Sequence, residues 1–362
     1  MRFAYHQPIE SRTHRHRRTW ARLVVVALTS VIAISCSSYG ALTRQTTRSP
    51  TTSGLSGFVD VDNGSESVRV LHLDPGVTAT IVIPATFDPR AHVDLILYAL
   101  PNGNTTAQTM GHKLLPGDDW HFDIQNIGAQ TRALRSRGLT QAVVVYFEAN
   151  TKSWPDWRRV HGYELANTRI IGMVNDVRNA LGNPFDVSVT LTGHSGGGSF
   201  MLGFIEGQTL LPPWLSRIAF LDANYSFEPR HGDKIAQWLR DDPAHTLVVV
   251  AYDDREIMLD GKKVVADSGG TWRATQRMIE YFQPLFPLSV DTVGEFQRYR
   301  NTQIEMVRHP NPSNRILHTE LVGEMNAYMH ALLVRTPRYD KTNTVLRRGR
   351  AYSAFVEDVQ RP

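Results

Sequence analysis

The residues that most clearly suggest chemistry lie in one short stretch, Gly193-His194-Ser195-Gly196-Gly197-Gly198. A β-branched run typical of a strand, residues 187–192, precedes it, and a helix-like segment, residues 199–205, follows it. A serine in such a tight turn from strand to helix is held in a strained conformation with its hydroxyl exposed. The pattern predicts that Ser195 is nucleophilic and that the amide of Gly196 points at a developing oxyanion.

The elements that position this turn alternate along the chain. Segments 170–181 and 321–332 have apolar residues at helical spacing. Continuous apolar runs separated by amphipathic helices predict a mostly parallel sheet with helices on both faces. The predicted strands are residues 67–73, 78–83, 93–100, 141–147, 187–192, 218–221, 246–252 and 303–307.

These eight strands, with the serine turn after the fifth, resemble the α/β-hydrolase fold over nearly all of residues 65–335. The resemblance implies a serine hydrolase of the esterase-like type. In that family a histidine in a loop before the last helix takes the proton of the serine, and an acid after a later strand orients the histidine.

Two of the three catalytic groups follow from that chain order. His318 stands just ahead of the predicted terminal helix and is the expected base for Ser195. His309 is less suitable because it adjoins a proline at a strand end, and His330 is less suitable because it falls inside a helix.

The acid is left open among three aspartates. Asp254 follows the strand 246–252 and is the preferred candidate. Asp253 is its direct neighbour, and Asp222 ends the preceding strand, a position that some members of the fold use. Any of the three is also a residue type that caps helices or forms turns.

A second oxyanion donor is expected in the loop after the third strand. That loop contains Asn102-Gly103-Asn104, where many esterases of this fold carry a His-Gly-Gly type sequence. The resemblance implies that an amide of Asn102, Gly103 or Asn104 completes the oxyanion hole with Gly196. The alternative is a plain Pro-Asn-Gly turn.

The loops after the third and fourth strands carry three tryptophans, Trp120, Trp154 and Trp157. They are expected near the carboxyl edge of the sheet, where their rings either stack on a sugar or aryl group or pack into the wall. His121 and Asp123 lack further ligands at suitable spacing, so we expect no metal and no cofactor.

The amino terminus indicates export. Residues 1–22 hold six arginines and one acid, and residues 23–34 are apolar but too short to cross a bilayer comfortably. We expect residues 1–35 to be a signal peptide. Cys36, the only cysteine, follows Ala33-Ile34-Ser35 in a sequence similar to a bacterial lipobox, which predicts lipidation. The alternatives are a cysteine placed there by chance and a weak twin-arginine signal at Arg17-Arg18.

The remaining chain is predicted to be one domain. Residues 36–56 form a polar tether, 57–340 the hydrolase domain with a possible cap insertion at 260–302, and 341–362 a tail. The net charge of the chain is +4, of which residues 1–35 contribute +5 through six arginines and one glutamate, so the rest carries −1. This balance argues against a nucleic-acid partner.

The sequence therefore predicts an exported, membrane-anchored enzyme of the cell envelope that cleaves an ester or related acyl bond through an acyl-enzyme intermediate. The expected substrate is a small-molecule or glycan acyl ester. The alternatives are a peptidase or acyltransferase on the same fold, or a non-catalytic envelope protein that binds glycans.

Overall fold

A computed structural model describes residues 55–61, 64–184, 186–339 and 346–357. The predicted signal peptide, Cys36 and all but the last two residues of the predicted tether lie outside the described residues. The chain divides into two units, Met1–Thr47 and Arg48–Pro362, and every described residue belongs to the second. No helix among the described residues is both long enough and apolar enough to span a membrane.

The main sheet of the described part contains eleven strands, in the order β1-β2-β3-β5-β4-β6-β7-β8-β13-β12-β11. A separate hairpin is formed by β9 and β10. The strands are β1 Val59–Val61, β2 Glu66–Leu73, β3 Val77–Pro84, β4 Val93–Ala99, β5 Ala142–Ala149, β6 Val187–His194, β7 Leu215–Leu221, β8 Thr246–Tyr252, β9 Met258–Leu259, β10 Lys262–Lys263, β11 Ser289–Val293, β12 Phe296–Arg300 and β13 Ile304–His309.

Nine α-helices connect the strands of the described ranges. They are α1 Thr106–Met110, α2 Ile127–Ser136, α3 Trp154–His161, α4 Tyr163–Ala180, α5 Gly198–Gly207, α6 Pro229–Asp241, α7 Thr271–Phe282, α8 His318–Val322 and α9 Ala327–Leu333. Short 3-10 turns occur at Trp120–Asp123, Ser195–Gly197 and Ser353–Phe355.

All eight predicted strands are present, and the serine turn follows the fifth of them, β6. Strands β5, β4, β6, β7, β8 and β13 run parallel to one another, while β2, β3 and the additional edge strands pair antiparallel. This architecture confirms the predicted α/β-hydrolase fold. Strands β1, β11 and β12 were not predicted, because short half-exposed edge strands carry little apolar signal.

Alternate side chains of the central strands pack into two cores, one on each face of the sheet. In β5, Val143 and Val145 belong to the core that α3 to α7 cover, while Val144 and Tyr146 belong to the core that α2, α8 and α9 cover. Burial on both faces explains why these strands are continuously apolar.

The region named as a possible cap, residues 260–302, contributes α7, β11 and β12. Helix α7 buries Ala274, Met278 and Phe282 as part of the helix layer, and β12 pairs with β13 in the main sheet. The predicted tail also includes packed residues, since Leu346 and Tyr352 are fully buried.

A buried ion cluster holds helix α5, which starts at the serine turn. Arg158 on α3 donates to Glu206 at 2.5 Å and to the carbonyl of Ser199 at 3.0 Å. His231 Nδ1 accepts from the amide of Glu228, so its Nε2–H donates to Glu206 at 2.7 Å. The His231 hydrogen bond is the main cause that lowers the pKa of Glu206 to about 2; burial opposes it, and Arg158 and Asn167 reinforce it.

Replacement of Glu206 by glutamine should lower the free energy of unfolding by about 3 kcal/mol at pH 7, because Arg158 then stays buried without an anionic partner. The ionised form of Glu206 stabilises the fold above its unfolded pKa of 4.5, and this stabilisation is lost as pH falls towards 2. Urea unfolding at pH 7, 5 and 3 should therefore show a shrinking difference from wild type. Glu164→Gln, an exposed site on α4, is the control; a Glu206→Gln deficit that stays constant with pH would contradict the assignment.

Candidate functional site

The serine turn has the strained geometry that the sequence predicts. Ser195 has φ +53°, in the left-handed region that side chains other than glycine rarely adopt. It directly follows β6 and begins the 3-10 turn that leads into α5, and it is partly exposed. The amide of Gly198 donates back to the carbonyls of Ser195 and Gly196, which closes the turn.

The glycines of the turn permit contacts with two neighbouring strand ends. A Cβ on Gly197 would overlap the carbonyl oxygen of Ala99 at the end of β4. A Cβ on Gly198 would overlap the carbonyl oxygen of Ala223, just after β7. Backbone from β4, β6 and β7 therefore meets directly around the serine.

His318 is the first residue of α8, and its side chain is 21% exposed. Its Nδ1 lies 2.5 Å from Oδ2 of Asp222, whose side chain is fully buried. Asp222 is a carboxylate acceptor here, so Nδ1 carries the proton and Nε2 presents a lone pair. Within the described ranges, neither Nε2 of His318 nor the hydroxyl of Ser195 has a hydrogen-bond partner.

A second histidine, the residue directly before Ser195, contacts His318. The ring centroids of His194 and His318 are 4.4 Å apart, and Nε2 of His194 donates to the carbonyl of His318 at 3.0 Å. Burial, together with the nearby His318, holds the pKa of His194 well below its ordinary value. A neutral His194 therefore ties α8 to β6, one residue before Ser195. Its place between glycine and serine was the only sequence signal for this role.

The preferred acid, Asp254, was wrong as the partner of His318. Asp254 accepts from the amide of Thr271 at 2.8 Å, and the imidazole is bound by Asp222, one of the alternatives left open. The reason is the position of α8. His318 lies over β6 through its contact with His194, so it meets the acid at the end of the adjacent strand β7 rather than one strand further away.

Burial also makes the charge of Asp254 unsuitable for orienting the imidazole of His318. Burial, with repulsion from Asp222 adding to it, raises the pKa of Asp254 to about 7, so near neutral pH it is partly protonated. The third alternative, Asp253, forms a two-pronged ion pair with Arg255 at 2.9 and 2.7 Å. The two rejected histidines lie near other carboxylates: Nε2 of His309 is 3.5 Å from Glu295, and Nε2 of His330 is 3.5 Å from Glu305.

The Asn102–Asn104 loop lies against the serine turn as predicted. The side chain of Asn102 packs on the α-carbon of Gly196, where a Cβ would overlap it. Gly103 is excluded as a donor in this conformation because its amide already donates to the carbonyl of Lys152 at 2.8 Å. The backbone amides of Asn102 and Asn104 have no acceptor in the described part of the chain, and Nδ2 of Asn104 is buried without a partner.

Two of the three tryptophans pack into the wall, and the third is exposed. Trp154 and Trp157 are wall residues, fully buried, with ring N–H groups that donate to the carbonyls of Phe147 and Pro75. Trp120 is 56% exposed and stacks on His121 with ring centroids 3.9 Å apart. His121 binds Asp119 at 2.5 Å, and the described residues contain no group of three potential metal ligands.

No family model matches this chain, and no curated protein sequence matches it. Solved structures with similar folds include a thermostable esterase (TM-score 0.42, 11% identity, 71% of this chain and 56% of that chain). A second is the siderophore hydrolase EstB from Aspergillus nidulans (TM-score 0.41, 13% identity, 78% of this chain and 99% of that chain). A third is an acetyl xylan esterase from Aspergillus awamori (TM-score 0.41, 9% identity, 68% of this chain and 93% of that chain).

These identities do not carry an activity from one protein to another. The sheet order and the serine turn place the chain in the α/β-hydrolase fold class. The chemistry of such a fold depends on the side chains of its site.

The short contact between His318 and Asp222 makes a prediction that is independent of any activity. Proton NMR should show a far-downfield imidazole N–H resonance from Nδ1 of His318, because a carboxylate so close deshields the proton. Asp222→Asn should remove this resonance, whereas Asp254→Asn, which alters a carboxyl that does not touch the imidazole, should retain it. If Asp254→Asn removed the resonance and Asp222→Asn retained it, Asp254 would be the partner of His318.

Proposed function

We propose that this protein is a serine hydrolase that cleaves an ester bond through Ser195, His318 and Asp222. The observation that carries the proposal is a strained, partly exposed serine directly after His194, together with His318, which packs on His194 and whose Nδ1 is held by the buried carboxylate of Asp222. A serine hydroxyl alone is a poor nucleophile near neutral pH, and this arrangement supplies the base that it lacks.

The proposed reaction has two halves. His318 Nε2 takes the proton of Ser195 as Oγ attacks the ester carbonyl, and Asp222 stabilises the imidazolium that forms. His318 then returns the proton to the leaving alcohol, which yields an acyl-enzyme that water hydrolyses. In the free enzyme Ser195 and His318 share no hydrogen bond, and we expect this bond to form when substrate binds.

The proposed oxyanion hole combines the amide of Gly196 with a donor from the loop of Asn102 and Asn104. Both residues keep an uncommitted N–H group, and Asn102 touches Gly196. Such donors stabilise the tetrahedral oxyanion because they are already oriented and need no reorganisation.

The proposed substrate is a small-molecule or glycan acyl ester. The exposed ring of Trp120, with Asp119 and His121 beside it, offers an aromatic face with polar neighbours to such a group.

Ser195→Ala should abolish hydrolysis of short p-nitrophenyl esters, with a loss in kcat on the order of ten-thousand-fold or more, because no nucleophile remains. A fluorophosphonate probe should label wild type on the peptide that contains Ser195 and leave the variant unlabelled. Ser188→Ala, on β6 but away from the turn, is the matched control. A wild-type protein that resists the probe but binds glycans would favour a non-catalytic role.

We further propose that the protein is exported and anchored to the cell envelope through a lipid on Cys36. The basic and then apolar stretch of residues 1–34 and the cysteine directly after it support this proposal.

Expression of the full chain in a bacterial host tests the anchor. The wild-type protein should sediment with membranes and begin at an acylated Cys36 by mass spectrometry, since the lipid chains supply the affinity for the bilayer. Cys36→Ala should leave the membrane fraction or remain unprocessed. Equal membrane retention and cleavage of both forms would refute lipidation at this residue.

A further inference from the structure

Two buried carboxyls lie at adjacent strand ends behind the imidazole. Asp222 directly follows β7 and Asp254 follows β8, its parallel neighbour, and their exposed fractions are 0% and 2%. The proposed chemistry uses only Asp222. The second carboxyl keeps one oxygen, Oδ1, without a hydrogen-bond partner.

One residue joins the two carboxyls. Thr271, the first residue of α7, is fully buried. Its backbone amide donates to Oδ2 of Asp254 at 2.8 Å, and its hydroxyl donates to Oδ1 of Asp222. Asp222 is thereby held at both ends, by Thr271 at one oxygen and by His318 at the other.

Local backbone geometry supports this arrangement. Gly270 has φ +90°, and a Cβ there would overlap the carboxylate of Asp254. The glycine therefore lets Asp254 reach the first amide of α7, where the helix dipole also favours negative charge. Asp222 itself has φ +48°, a strained backbone conformation that persists only where surrounding contacts hold it.

We propose that Thr271 is a positioning residue for Asp222, and that Asp254 anchors Thr271 through its backbone amide. This inference rests on the proposed function. The hydroxyl of Thr271 holds the carboxylate so that Oδ2 faces Nδ1 of His318, and it disperses part of the negative charge on Asp222. Nothing in the sequence singles out Thr271.

The charged groups near the carboxylate of Asp222 and the hydroxyl of Thr271 lie on several segments. Asp222 directly follows β7, and His318 faces it from α8. Arg255, on the same loop as Asp254, is bound to Asp253. On α7, Arg273 donates to the carbonyl of Gly269, and on β13, Arg308 stacks on Trp272, so neither forms an ion pair with Asp222.

The test compares Thr271→Val, which keeps the shape but removes the hydroxyl, with Thr271→Ser, which keeps the hydroxyl. In the valine variant kcat for a p-nitrophenyl ester should fall on the order of 10- to 100-fold, as a small misplacement of a catalytic group can cost that much. KM should stay the same because Thr271 does not touch the substrate. The serine variant should recover most of kcat.

The pH profile separates this role from a purely structural one. Without the hydroxyl, the undispersed charge on Asp222 should hold the imidazole proton more firmly, so the acid limb of kcat/KM should move to higher pH. The serine variant should restore the limb. Unchanged kcat and limb in Thr271→Val, or equal losses in both variants, would overturn the proposal.

Two further measurements keep the result decisive. If Thr271→Val does not fold, as judged by circular dichroism, Thr271→Ala takes its place in the comparison with Thr271→Ser. The downfield N–H resonance of His318 should shift in the variants that lack the hydroxyl and stay in Thr271→Ser. Because this resonance needs no turnover, it tests Thr271 even if Ser195 fails to react with the fluorophosphonate probe.

Discussion

The close approach of backbone atoms around the serine turn is the constraint on which the site depends. Gly197 lies against the carbonyl of Ala99 and Gly198 against that of Ala223, contacts that a side chain on either glycine would prevent. The first brings the loop of Asn102 beside the serine, and the second brings the residue after Asp222. Two further components of the proposed site are therefore positioned by the same glycines that shape the turn.

Electrostatics then distribute charge among the buried groups. Asp254, with its pKa raised to about 7, is partly protonated near neutral pH, and His194, with its pKa well below the ordinary value, favours its neutral form. Asp222, bound by the hydroxyl of Thr271 and by His318, is the carboxyl with the partners that a charged group needs. The site thus directs a single carboxylate at the imidazole, although two carboxyls lie close to it.

Strong local patterns explain which parts of the fold were predictable. The eight apolar strands and the helical segment predicted at 170–181, observed as the end of α4, Tyr163–Ala180, have clear periodicity or length. The terminal helix was predicted as one segment but is two, α8 and α9, separated by Gly323 and by Asn326 at φ +57°. Edge strands β11 and β12 were missed because their half-exposed residues lack a continuous apolar run.

The sequence by itself determined the serine turn, the α/β class and the histidine ahead of the final helices, because each depends on residues that are adjacent in the chain. Only the tertiary structure decided which aspartate meets His318, which amide of the 102–104 loop is already occupied, and which tryptophan is exposed. Those outcomes depend on contacts between segments far apart in sequence: α8 over β6, Gly103 against Lys152, and α7 against the ends of β7 and β8. Local pattern carries no information about such distances, so several residues with the same chemistry remain equivalent until the chain is packed.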